Sequence, residues 1–281
     1  MPEFLQPKTI QEALSLLQVR QNIKFLAGGT DLLVLLRAGS LSCDAVMDIK
    51  KLPELSVFAY TEAGLEIGGA VTCNQIIEAD FLRGAHGALQ GAARTLANSL
   101  LRNRATLVGN LCNASPGGDM LPISLVLGGA AHTVSPRGAR EIALKHFFTG
   151  VKKTVLAPDE FVVKVVFPEA AGRGAYLKKS RIRGHDLAQV GLAGYYGADG
   201  ALRLAAGAVG PTPAVFDELG RYKQSELLSG EDARGILVGT VLGSVNPIRD
   251  VRSSKEYRLA MLKYFIEKML DAFSTGEEVS M

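Results

Sequence analysis

The chain has 281 residues, 47% hydrophobic and 21% charged, with a formal net charge of +3. This is the composition of an ordinary folded protein, and so small a charge, without a Lys/Arg tract interleaved with aromatics, excludes a nucleic-acid binder. The longest apolar stretch, residues 121–131, is too short and Gly-broken to cross a bilayer, and Met1-Pro2-Glu3-Phe4 does not open a signal peptide, so a cytoplasmic protein without membrane contact is expected.

In chain order, residues 9–19 predict a helix, with Thr9 as cap, Glu12 completing a capping box, and Ile10, Ala13, Leu14 and Leu17 at helical spacing. A short strand over 23–26 leads into a glycine loop, followed by a helix over 32–37 and a strand over 45–49. Pro53 turns the chain. Residues 65–71 read as a strand, 72–78 as a helix start, and 87–100 as one helix rich in Ala and Leu. Residues 130–134 form a strand ending in the turn Ser135-Pro136-Arg137-Gly138, and 161–167 a strong strand stopped by Pro168.

Gly172-Arg173-Gly174 marks a boundary. Beyond it, strands over 188–196 and 202–209 are joined by an Asp199-Gly200 turn, and helices cover 233–242 and 257–273. In the last helix Met261, Phe265, Met269 and Phe273 form a stripe that reads as core or interface. The division expected is 1–55 and 56–171 as two α/β subdomains, with 172–281 as an α+β domain.

Two stretches pack glycines beside small polar residues: Ala27-Gly28-Gly29-Thr30-Asp31, and 106–119, with Thr106, Gly109, Asn110, Asn113 and Asp119. Glycine lets backbone N–H groups approach an anion, because no Cβ stands in the way. Thr106 offers a hydroxyl, Asn110 and Asn113 offer amides, and Asp119 is an acceptor suited to a ribose or ribityl hydroxyl. Two such loops fit one extended ligand with a phosphate gripped from two sides. The first also fits a tight β–α turn that binds nothing, and the second an Asx-rich connection.

The common alternatives are missing. The chain contains no G-x-x-x-x-G-K-[ST], and neither loop gives G-x-G-x-x-G; no G-x-S-x-G elbow occurs. Cys43, Cys73 and Cys112 are widely spaced, and His86, His132, His146 and His185 lack metal-ligand spacing, so no metal site is expected.

The strings Leu26-Ala27-Gly28-Gly29-Thr30-Asp31-Leu32-Leu33, Leu101-Arg102-Asn103-Arg104-Ala105-Thr106-Leu107-Val108-Gly109-Asn110, Ala114-Ser115-Pro116 and Asp119 resemble the FAD-binding medium subunit of molybdenum hydroxylases. These include the flavin subunits of bacterial xanthine dehydrogenases and the carbon monoxide dehydrogenase medium subunit. The resemblance continues at Gly207-Ala208-Val209-Gly210-Pro211-Thr212-Pro213 and Asp250-Val251-Arg252-Ser253-Ser254-Lys255-Glu256-Tyr257-Arg258, so it spans nearly the whole chain.

The resemblance implies an α+β, p-cresol-methylhydroxylase/vanillyl-alcohol-oxidase-type FAD fold. It implies that residues 27–31 hold the pyrophosphate, beginning near Lys24 and Leu26. Thr106, Gly109, Asn110 and Asp119 would sit on a second FAD loop, Val162 at a backbone-contact position and Lys178 at a lysine position contacting the flavin region. In this reading the chain carries FAD and no catalytic acid or base. A large partner carries the molybdenum cofactor and a small one carries [2Fe–2S] clusters. Electrons pass through FAD to NAD or another acceptor, in one heterotrimer or a dimer of two. A stand-alone FAD reductase or oxidase of the same fold is the alternative. One departure stands out: the family usually has two glycines before Asn110, and here Val108 occupies the first. A decayed flavin site would draw its support from that residue. Arg183 extends the basic run Lys178, Lys179, Arg181, which reads either as a solvated face or as Lys178 stabilising a flavin anion with the rest at an interface.

Overall fold

Among the described residues, three sheets of three to five strands follow one another along the chain, with a two-stranded one beside them. The computed structural model describes residues 2–182, 186–223, 226 and 231–277, so Arg183 and His185 of the sequence reading lie outside the described residues. The first sheet is parallel, ordered β1 (Glu3–Leu5), β3 (Ala45–Asp48), β2 (Ile23–Leu26). Its connections are α1 (Ile10–Val19) and α2 (Leu32–Arg37), which follows the first glycine loop. Ala13 and Leu17 of α1 pack on Leu5, Ile23 and Met47. Thr9 caps α1 through the Glu12 N–H, but the Glu12 carboxylate accepts from the Lys8 N–H rather than from Thr9, so the expected reciprocal box is displaced by one residue.

The second sheet is antiparallel: β4 (Phe58–Thr61), β5 (Gly64–Gly68), β10 (Phe161–Phe167), β6 (Ala130–Ser135), β7 (Gly138–Ala143). The apolar run of β10 is central and buried except for Lys164, which pairs with Glu66. The helices between β5 and β6 are α3 (Cys73–Glu78), α4 (Ala88–Thr95), α5 (Ser99–Arg102), α6 (Leu107–Asn113) and α7 (Met120–Val126). They bury Ile76, Leu89, Leu107, Leu111 and Leu121 in the same core as Ile67 and Val165 of the sheet. A small hairpin, β8 (Phe148–Gly150) and β9 (Lys153–Thr154), precedes β10.

The single helix expected over 87–100 is broken. Ala97 adopts a left-handed φ of 47°, and the Asn98 side chain caps a new helix, α5, through the Leu101 N–H. The Arg102 guanidinium donates to the carbonyls of Arg94, Leu96 and Ala97, a cation satisfying the orphan acceptors of a helix end. Residues 107–113, expected as loop, form α6, because the Thr106 hydroxyl accepts from the Gly109 N–H and starts the helix.

The third sheet is β11 (Gly172–Lys179), β12 (Val190–Gly197), β13 (Leu202–Gly207), β14 (Ala214–Phe216), all antiparallel. Gly172 and Gly174 open the first strand of this sheet. Side chains alternate across a strand with period two, and here both faces are buried. Leu177, Leu192 and Leu204 meet α8 (Glu231–Gly243) and α9 (Lys255–Thr275), while Tyr176, Ala193 and Ala205 join the core of the second sheet's helices. Phe265, Met269 and Phe273 of the α9 stripe are buried in this core and Met261 packs against it. Together the elements are α+β, as expected. No helix among the described residues is long and apolar enough to cross a membrane.

Glu160, just before β10, ties the second sheet to the segment that precedes it. Its carboxylate accepts from Thr133 Oγ1 at 2.6 Å, from the Arg140 guanidinium at 2.6 and 2.7 Å, and from the Ala157 N–H at 3.0 Å. Burial acts to raise its pKa, but these donors outweigh it and pull the group from 4.5 down to about 2. A lowered carboxylate stabilises the fold above its unfolded pKa and loses that contribution as pH falls through its folded one. Glu160→Gln is therefore expected to cost about 2 kcal/mol at pH 7. The gap to wild type should close between pH 4.5 and about 2, as followed by urea unfolding across that range.

Candidate functional site

A cleft of about 1170 Å³ runs between the first two sheets and is closed on one side by the C-terminal segment. It exceeds the roughly 300–1,000 Å³ of an ordinary small-molecule pocket, so it suits a long ligand. Its first wall is residues 27–32, between β2 and α2; its second is 105–119, from the start of α6 to the start of α7.

The two walls touch backbone to backbone. A Cβ built on Gly28 would lie 2.1 Å from the Arg104 carbonyl oxygen, so no side chain fits at that position. Gly29 has φ of 74°, in the left-handed region that glycine enters without strain. Asn113 Nδ2 donates to Asp31 Oδ1 at 3.2 Å, a second bridge between the walls. None of the backbone N–H groups of residues 28–31 donates to an acceptor among the described residues. A row of unmet amides on a concave wall is an anion cradle.

The second wall is held from behind. Asn110 Oδ1 accepts from the Met120 N–H at 3.2 Å and so links α6 to α7. Thr106 is buried and its hydroxyl oxygen is engaged in capping α6. Val108 borders the cleft from the first turn of α6, with its side chain buried in the central core. The valine thus leaves the helix start regular, and Gly109 N still reaches Thr106 Oγ1 at 2.9 Å.

Asp119 lies at the inner end of this wall and is 5% exposed. Its carboxylate accepts from Lys178 Nζ at 2.9 Å and from the Tyr176 hydroxyl at 2.9 Å, both on β11. Burial pushes the Asp119 carboxyl up to about 6, against the downward pull of Lys178 and Tyr176. Lys178 also donates to the Thr95 carbonyl at 2.9 Å. Its ammonium is 6% exposed and stands one layer behind the cleft, held by Asp119 and the end of α4.

Of the residues singled out from the sequence, Lys24, Ala27, Gly28, Gly29, Thr30, Asp31, Thr106, Gly109, Asn110, Asn113, Asp119 and Val162 line the cleft. Leu26 and Lys178 do not. The Leu26 carbonyl accepts from the Ile49 N–H, and its side chain fills the space beneath Gly29. Val162 sits at a register shift of β10 against β6, a bulge beside the cleft. The sequence reading missed the third wall, formed by Leu187, Ala208, Pro211, Ile248 and Arg252. The motifs around Ala208 and Arg252 carried the signal, but nothing local in them points to a ligand.

The family model described as "FAD binding domain in molybdopterin dehydrogenase" matches residues 1–170, which contain both glycine-lined walls. The chain belongs to this family. It is 32% identical to a xanthine dehydrogenase FAD-binding subunit of Escherichia coli O157:H7 over 271 residues, 93% of this chain and 92% of that protein. It is 28% identical to the carbon monoxide dehydrogenase medium chain of Hydrogenophaga pseudoflava over 278 residues, 96% of each. The solved carbon monoxide dehydrogenase of Hydrogenophaga pseudoflava contains a chain that superposes with a TM-score of 0.88 at 25% identity, covering 98% of this chain and 97% of that one. Quinoline 2-oxidoreductase of Pseudomonas putida 86 shares the fold, with a TM-score of 0.88 at 23% identity. The cofactor of the family fits this cleft: the unmet amides of residues 28–31 suit a pyrophosphate, and the volume of the cleft leaves room for a dinucleotide.

Gly28→Ala is expected to force the two walls apart, destabilising the chain by about 1–3 kcal/mol and lowering the FAD retained on purification, measured by the visible absorbance per chain. Lys178→Met leaves the Asp119 carboxyl without its counter-charge and should cost about 3–5 kcal/mol. Adding Asp119→Asn should recover part of that loss in a double-mutant cycle read by chemical unfolding.

Proposed function

We propose that this chain is the flavin-carrying, electron-transfer subunit of a multisubunit molybdenum hydroxylase. The observation that carries the reading is the pair of backbone-lined walls facing one another across one cleft, with the amides of residues 28–31 unmet. The likeness to a xanthine dehydrogenase FAD-binding subunit and a carbon monoxide dehydrogenase medium chain over more than nine-tenths of the chain supports it. In this reading residues 1–55 and 56–171 grip the cofactor and 172–281 closes the cleft. Residues 27–31 take the pyrophosphate. Gly109, Asn110, Asn113 and Asp119, with Thr106 as the helix cap, shape the second wall, and Lys24 and Val162 border its ends.

When bound, FAD supplies the redox chemistry, and the protein supplies binding, orientation and electrostatics. The chain's residues hold the cofactor in a partly dry cleft and place no acid or base on a substrate. Lys178 acts through Asp119, setting the charge at the inner end of the second wall. A large subunit with the molybdenum cofactor performs hydroxylation. A small subunit with [2Fe–2S] clusters delivers electrons to FAD, which leave to NAD or another acceptor. The assembly works in the cytoplasm.

Co-expression with the genes that neighbour its own tests this reading. The expected result is co-elution with a molybdenum subunit and an iron–sulfur subunit, one FAD per copy of this chain, and bleaching of the flavin band by the hydroxylase substrate. A chain that elutes alone, carries FAD and turns over substrate without partners overturns it in favour of a stand-alone flavoenzyme.

A further inference from the structure

Among the described residues, the largest fully buried side chain is a cation. Arg258, in the first turn of α9, is 2% exposed, and it lines the third wall of the cleft. Its NH1 donates to the Gln189 carbonyl and to the Ala208 carbonyl at 3.3 Å, and its NH2 donates to Asp250 Oδ1 at 2.8 Å. These acceptors lie on three different segments, and each segment contributes to the cleft. Residues 186–187 precede Gln189, Ala208 leads to Gly210 and Pro211, and Asp250 sits between Ile248 and Arg252.

The segments are tied further around this centre. Asp250 Oδ1 also accepts from the Arg252 and Ser253 N–H groups at 2.9 and 3.1 Å, and Gln189 Nε2 donates to the Arg252 carbonyl. Ala208 is held in a left-handed φ of 61°, and its N–H donates to the Pro116 carbonyl of the second wall at 2.7 Å. Arg258 therefore grips a strained residue that is itself bonded to the opposite wall. One donor, Arg258 Nε, is buried with no partner among the described residues. Burying a guanidinium with a donor unmet is a poor way to gain stability, because desolvation offsets the attraction. What the arrangement gains is a fixed geometry of three segments, which Arg258 joins at one point beside the direct Gln189–Arg252 and Asn246–Val209 hydrogen bonds.

We propose that Arg258 is a positioning residue for the flavin: it assembles the C-terminal wall of the cleft from three separate segments and thereby sets the surface that the bound FAD meets. Arg258 touches no cofactor in this role; it acts through Leu187, Ala208, Pro211 and the 248–252 segment. The proposal rests on the cleft being the FAD site.

The test uses the full chain, with FAD as the probe, in wild type, Arg258→Met and Phe265→Leu. Phe265 is buried in the α9 core away from the cleft, so its variant reports what loosening α9 alone does. Arg258→Met is expected to weaken FAD binding about tenfold or more and to shift the flavin midpoint potential and the shape of its visible band. Phe265→Leu should lower the melting temperature and leave all three at wild-type values. Asp250→Asn removes one arm of the network and should move the same three readouts in the same direction, which keeps the proposal testable if Arg258→Met does not fold. If Arg258→Met or Asp250→Asn lowers the melting temperature but leaves affinity, potential and spectrum unchanged, Arg258 is only structural and the proposal falls. A wild-type chain that takes up no FAD instead overturns the reading of the cleft itself.

Discussion

Everything about this site depends on a contact between two backbones. Gly28 follows a strand of the first sheet and Arg104 lies between two strands of the second, and they approach so closely that a single Cβ would collide with a carbonyl oxygen at 2.1 Å. That approach makes two loops, some 75 positions apart in sequence, into opposite walls of one cleft. The Asn113–Asp31 hydrogen bond reinforces the approach. Neither interaction involves a ligand. The glycines commonly associated with phosphate recognition thus have a prior duty here, which is to let the protein meet itself.

The elements behind the cleft are largely buried. The third sheet has two buried faces, so it serves both the C-terminal helices and the helices behind the second wall. Tyr176 and Lys178 share the face directed at the second wall and meet Asp119 there. Strand alternation, rather than any special loop, delivers a cation and a hydroxyl to the rear of the site. Asp119 stays charged in a dry setting only through such partners, and Lys178 in turn closes the open end of α4. The helices that frame the cleft and the sheet behind them are consequently one connected polar system inside an apolar core.

The parts legible in the sequence were those governed by local pattern. The run Phe161–Phe167 reads as a buried strand because it is continuous and apolar, and the α9 stripe reads as core because its period is helical. The two glycine-rich stretches are recognisable as a pair, since each alone also fits a connection that binds nothing. The rest depended on distant partners. Helix α6 looked like a loop because Gly109, Asn110 and Asn113 are weak helix formers; the Thr106 cap and the packing of Leu107 and Leu111 overcome that. The break at Ala97 carries no glycine or proline, and Arg102 holds it from five residues away. Lys178 is legible as a lysine of the site, but its partner is a carboxylate 59 residues earlier, which no spacing rule reveals. The third wall escapes a local reading because Gln189, Ala208 and Asp250 lie far apart in the chain and meet only in the fold, where Arg258 bonds to all three.

The unmet amides of residues 28–31 have a thermodynamic meaning beyond recognition. An anion that satisfies them binds the folded chain and not the unfolded one, so it shifts the folding equilibrium by mass action. At a hundredfold excess over its dissociation constant, such a ligand adds about 2.7 kcal/mol to stability. The chain's lifetime then follows the supply of its cofactor. A cell short of flavin would hold less of this protein, because the empty fold would be opened and degraded more often, even with its synthesis unchanged.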